Sequence, residues 1–202
     1  MNNPTKTLPE RYHKIGEINL KKNKQLAVTL NIASFFLFVC SIFLLSNFTA
    51  FAHPEISNIS GKITLGMITV LAGLVFLVII VHELIHGLFY WFFTRSKPAF
   101  GFHLFYAFAS APEWYLPNLQ FAITTFGPLI IIGIVGLVLI LMAPLRWIVF
   151  IIFFLALNIA GSAGDLYILS SLFKLSPAGL INDARDVITF HEYGATTNCE
   201  KN

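Results

Sequence analysis

Charge is scarce in this chain. Asp, Glu, Lys and Arg make up only 11% of its 202 residues, less than half of the roughly 25% usual in soluble domains. With 56% hydrophobic residues and a mean hydropathy of +0.76, that scarcity excludes an ordinary soluble domain and leaves a multi-pass membrane protein. Cysteine is almost missing too: Cys40 lies in an apolar stretch and Cys199 in a polar one, which excludes a disulfide framework and a cysteine metal site. The net charge of +3 is too small for nucleic acid to be the main partner. Internal repeats and low-complexity linkers are absent. The first 25 residues are polar, so no cleavable signal peptide is apparent.

What the chain does have is apolar runs, at about 26–48, 63–93, 119–142 and 147–173. Each is long enough to cross a hydrocarbon core of roughly 30 Å. The expectation is an all-α membrane protein with four transmembrane helices: a membrane domain over 26–173, a basic segment over 1–25 suited to anionic lipid headgroups, and a polar, partly helical tail over 174–202. Only 143–146 separates the last two runs, so they form an antiparallel helical hairpin. With both termini cytoplasmic, Lys6, Arg11, Lys14, Lys21, Lys22, Lys24, Arg95, Lys97, Lys174, Arg185 and Lys201 all fall inside, and only Lys62 and Arg146 outside, as the positive-inside rule requires of a protein of the cell membrane.

Between the second and third runs, 94–118 is neither a span nor an ordinary loop. Large residues alternate at Phe100, Phe102, Leu104, Tyr106 and Phe108. That period of two predicts an extended strand, which a turn at Ala111-Pro112 folds into a membrane-associated β-hairpin. An aromatic interfacial loop, anchored by Trp114 and Tyr115, is the alternative.

The second run also holds the sequence Val81-His-Glu-Leu-Ile-His-Gly87. On a helix, His82 and His86 share one face, where two imidazole nitrogens can reach one metal ion with Glu83 beside them. In the H-E-x-x-H pattern the histidines hold Zn²⁺ and the glutamate takes a proton from water, which is metalloprotease chemistry. Three fixed positions in five occur by chance in many helices. Within a span, however, each charged group costs roughly 2.5 to 3.5 kcal/mol, which disfavours a chance match.

A catalytic zinc normally has three protein ligands. Asp165 is the only carboxylate in the fourth run, nine residues before Lys174, as His86 is nine before Arg95. At 1.5 Å per residue the two lie at similar depth. Alternatives stay open: Asp165 as a buried aspartate bonded to Asn158, Ser162, Thr124 or Thr125, and His103 as a competing third ligand. His13 and His191 are expected to be solvent-exposed, and His53 lies at the other end of the spans. Gly127-Pro128, Gly133 and Gly136 in the third run suit close packing or a kink.

Over about 63–173 the chain is similar to the site-2-type intramembrane metalloproteases and, more closely, resembles a bacterial membrane family of putative zincin peptidases. The resemblance rests on His82-Glu83-x-x-His86, on Gly127-Pro128 as the start of a Gly-Pro-x-x-Asn stretch, and on Asn158 with Asp165. Ile131 stands where that stretch has Asn, and Leu166 follows the Asp. The resemblance implies zinc on His82, His86 and Asp165, Glu83 as the base, and Asn158 helping to position substrate. Together these expectations describe a zinc-dependent intramembrane protease acting on membrane proteins or peptides in the lipid bilayer, with Asn158 and His103 as substrate contacts. The rival expectation is a non-catalytic zinc-binding membrane protein with a structural, sensing or partner-binding role. A transporter would need polar residues through the whole bundle, whereas here they cluster at one depth.

Overall fold

The computed structural model describes residues 3–55, 64–103 and 106–194. It is mostly helical. Helix α1 (Lys24–Ala52), α2 (Leu65–Thr94) and α3 (Asn118–Met142) are each long and apolar enough to cross a membrane. Apolar residues face all sides of these helices, as lipid-embedded segments require. Side-chain oxygens start two of them: Asn23 accepts from the Leu26 N–H at 2.9 Å and Thr64 from that of Met67 at 3.2 Å. The next two helices, α4 (Leu145–Gly161) and α5 (Ala163–Leu172), reach spanning length only together and are bent by 42° across Ser162.

Helix α4 is the hub of the bundle. It packs Ile148, Ile152, Leu155 and Ala156 against Ile132 and Ile140 of α3 and Leu45 of α1. Gly136 makes room for this, since a Cβ there would stand 2.2 Å from the Leu155 side chain. At the bend, the Ser34 hydroxyl of α1 donates to the Ala160 carbonyl at 2.8 Å, so the interrupted ladder is satisfied from a neighbouring helix. His53, just past α1, donates through Nε2 to the Ile140 carbonyl at 2.8 Å. That places the ends of α1 and α3 together.

The chain is not all-α. Strands β1 (Tyr12–Asn19), β4 (Tyr115–Pro117), β5 (Leu180–Ala184) and β6 (Val187–Tyr193) form an antiparallel sheet in the order β1-β6-β5-β4. The flanking segments expected to be a lipid-facing stretch and a partly helical tail thus pair with each other. One face of the sheet carries Ile18, Leu116, Ile181, Ile188 and Phe190, buried against Tyr90, Phe121, Leu172 and Leu175 from the helix ends. The hydrophobic layer this sheet needs comes from the helices, which is why its strands look too polar to stand alone. His191, expected to be solvent-exposed, is corrected too: on the other face of the sheet it is 6% exposed, with its ring 5.3 Å from that of Tyr115.

Between α2 and α3, β2 (Ala99–His103) and β3 (Tyr106–Ser110) form a hairpin. Its reversal falls between His103 and Tyr106, earlier than the Ala111-Pro112 turn expected. Leu104 and Phe105, like Lys62 and the chain after Gly194, lie outside the described residues. The reversal puts Phe100 opposite Ala109 and Gly101 opposite Phe108, so the single alternation read from the sequence spans two strands. Gly101 accommodates the Phe108 ring and Gly87 of α2 accommodates Phe100, each at a distance a Cβ would block. The hairpin therefore lies directly on α2.

A buried polar contact joins sheet and helices: the Tyr90 hydroxyl donates to Asp183 Oδ2 at 2.6 Å. Burial raises the Asp183 carboxyl to about 7, against the hydrogen bonds from Tyr90 and the Arg185 amide and the nearby His86. The folded protein thus holds this proton more tightly than the unfolded chain. The associated stability is full below the ordinary aspartate range and is lost as pH rises through about 7. In Asp183→Asn the amide oxygen still accepts from Tyr90 and nothing titrates. Thermal unfolding in detergent should show the wild type losing stability between about pH 5 and about pH 8 by more than the variant does; parallel curves would remove Asp183 as the cause.

Candidate metal centre

The buried face of α2 recurs every four residues: Val78, His82, His86, Tyr90 and Thr94. His82 and His86 are each 8% exposed, and their Nε2 atoms stand 3.2 Å apart. Asp165 arrives from α5. Because the helix restarts at Ala163, this carboxylate sits in a first turn, where the helix dipole favours negative charge. Its Oδ2 lies 3.0 Å from His82 Nε2 and 3.5 Å from His86 Nε2. The structure thus brings together the three side chains singled out as ligands, and they are the one His/Cys/Asp/Glu group of three or more among the described residues able to hold a metal ion.

The other ring nitrogens explain how the rings are held. His86 Nδ1 lies 2.8 Å from the Thr124 carbonyl and His82 Nδ1 lies 2.9 Å from Asn158 Oδ1. A carbonyl oxygen only accepts, so each Nδ1 carries a proton and each ring turns its Nε2 toward the cluster. With each Nε2 deprotonated, two lone pairs and a carboxylate oxygen would face one another, a donor set that suits a cation. A tetrahedral zinc ion bound through N and O donors sets its ligand atoms about 3.3 Å apart. The three spacings here bracket that value, so the residues fit the metal.

Glu83 is one residue further round the helix. Its carboxyl meets the backbone N–H of Ala109 in β3, while its Oε2 is buried without a hydrogen-bond partner among the described residues. Two carboxylates beside a divalent cation leave no net charge, the compensation that burial favours. Asn158, expected to contact substrate, is 1% exposed and bonded to His82. His103 ends β2, paired with Tyr106; its side chain lies outside the described part of the structure.

A family model described as putative zincin peptidase matches residues 75–179, just over half of the chain. The chain belongs to this family. No curated protein and no solved structure matches it. Membership supports a zinc metalloprotease, with zinc as the metal that a zincin implies, and the matched region contains His82, Glu83, His86, Asn158 and Asp165. It stops short of Asp183.

Two features near the cluster escaped the sequence reading. One is the Thr124 carbonyl, since backbone acceptors leave no mark in a residue pattern; the signal was Pro128, four residues on, read as a packing or kink residue and as part of the Gly-Pro-x-x-Asn resemblance. The other is the Tyr90–Asp183 pair, where a tyrosine one turn after His86 on the same face was the available sign. Elemental analysis of detergent-purified protein tests the cluster: close to one zinc per chain in the wild type, lost in both His86→Ala and Asp165→Ala. A wild type without metal after zinc supplementation would refute it.

Proposed function

We propose that this zincin-family protein is an intramembrane protease that hydrolyses peptide bonds of membrane-embedded proteins or peptides. The observation that carries the proposal is the convergence of His82 Nε2, His86 Nε2 and Asp165 Oδ2 beside the buried, unpartnered Oε2 of Glu83, all within apolar helices. A structural metal site has no use for such an oxygen. In this reading α4 and α5 form the fourth span as one broken helix, and both termini are cytoplasmic, which the distribution of Lys and Arg supports.

His82, His86 and Asp165 would hold the zinc, which supplies Lewis-acid polarisation of a carbonyl and acidifies water. Glu83 Oε2 takes the proton released as water attacks the scissile carbon and returns it to the leaving amine. Its position at hydrogen-bond depth, with no competing donor on Oε2, suits that exchange. Asn158 keeps His82 in the tautomer that presents Nε2, a role its bond to Nδ1 supports.

A helical substrate hides its peptide bonds in its own hydrogen-bond ladder, so it must unwind before cleavage. The hairpin offers a template for the extended form. Among the described residues β3 has one strand neighbour, β2, and the Ala109 N–H meets Glu83, so its other edge lies beside the site. His103, at the end of β2, is proposed as a substrate contact.

Glu83→Gln keeps the shape and removes the base. Cleavage of a membrane-spanning reporter in proteoliposomes should fall by a factor on the order of 10² to 10⁴ with zinc content unchanged. Undiminished cleavage would take Glu83 out of the mechanism.

A further inference from the structure

We infer that Pro128 is a positioning residue for His86: by withholding a backbone N–H, it frees the Thr124 carbonyl to orient this ring from the neighbouring helix. The inference rests on the metal-site reading above and extends it to α3. In a regular helix each carbonyl accepts from the N–H four residues later. Pro128 lies inside α3 and has no N–H, so the carbonyl of Thr124 loses its ladder donor. That carbonyl is on a residue only 1% exposed, where an unsatisfied acceptor is unfavourable. His86 Nδ1 stands 2.8 Å from it and takes the place of the missing donor.

Gly127 supplies the second condition. A Cβ at this position would stand 2.2 Å from the Phe89 ring, so the bare Cα of residue 127 lets the Phe89 ring of α2 pack directly on α3. One glycine sets the approach and one proline leaves the acceptor. His82 is held differently, by a side-chain oxygen from α4, so each histidine is oriented by a different helix.

Pro128→Ala and Pro128→Val both restore the N–H, and Val nearly keeps the volume. A carbonyl has two lone pairs, so the restored ladder bond competes with His86 without abolishing its contact. Zinc affinity, measured by chelator competition on the full-length detergent-solubilised protein, should weaken about tenfold in both variants, while the melting temperature of the metal-free protein holds or rises. Loss of affinity in Ala but not Val, or with a parallel drop in metal-free melting temperature, would assign Pro128 to packing and overturn the inference. Unchanged affinity in both would overturn it while leaving the metal site standing. A wild type that binds no zinc, like a His86→Ala control, would overturn the metal reading and this inference together.

Discussion

The site depends on holding a dense group of polar atoms inside helices that are otherwise apolar. In hydrocarbon no water is present to complete a missing hydrogen bond, and each orphaned group costs several kcal/mol. The cluster meets that constraint by giving each imidazole two separate duties. Nδ1 is tied to an oxygen on a neighbouring helix, Asn158 of α4 or Thr124 of α3, and only Nε2 faces inward. The ties fix tautomer and ring angle before any ion arrives, which limits the reorganisation needed on binding.

The backbone acceptor and the placement of the carboxylate follow from two helices departing from regularity. Pro128 interrupts the ladder of α3 and releases a carbonyl; the bend across Ser162 ends α4 and restarts the chain so that Asp165 falls in a first turn. Each departure would be unfavourable alone, and each is compensated across a helix contact, by His86 in one case and by Ser34 from α1 in the other. The irregularities and the site are thus parts of a single arrangement.

The metal cluster was more legible in the sequence than the fold around it. His82 and His86 are linked by helical period alone, and Asp165 was reachable because an unaccompanied carboxylate in an apolar run has few explanations. The helices were legible from apolar length, with boundaries displaced by a few residues. The sheet was not: Tyr12–Asn19 and Val187–Tyr193 pair across most of the chain, and their buried face is completed by helix ends that no local pattern reveals. The hairpin was foreseen as extended structure but with a misplaced turn, because period-two alternation does not show where a chain reverses. Asn158 was singled out as a substrate contact, and its bond to His82 Nδ1 was not legible in the sequence because it joins residues 76 apart on different helices.

The polar stripe on α2 is one-sided. From His82 it continues through His86 to Tyr90, whose hydroxyl reaches Asp183 in the sheet, and to Thr94, which bonds back to the Tyr90 carbonyl next to Arg95. In the other direction the next buried residue of the face is Val78, and the cavity there, about 320 Å³ between α2, α3 and α4, is lined by Leu74, Val81, Ile85 and other apolar side chains. A path that carried ions or solutes across the bilayer would need polar groups at both ends. Along α2, among the described residues, the buried polar side chains run from the cluster to one helix end, which suits the proposed exchange of water and protons at that end.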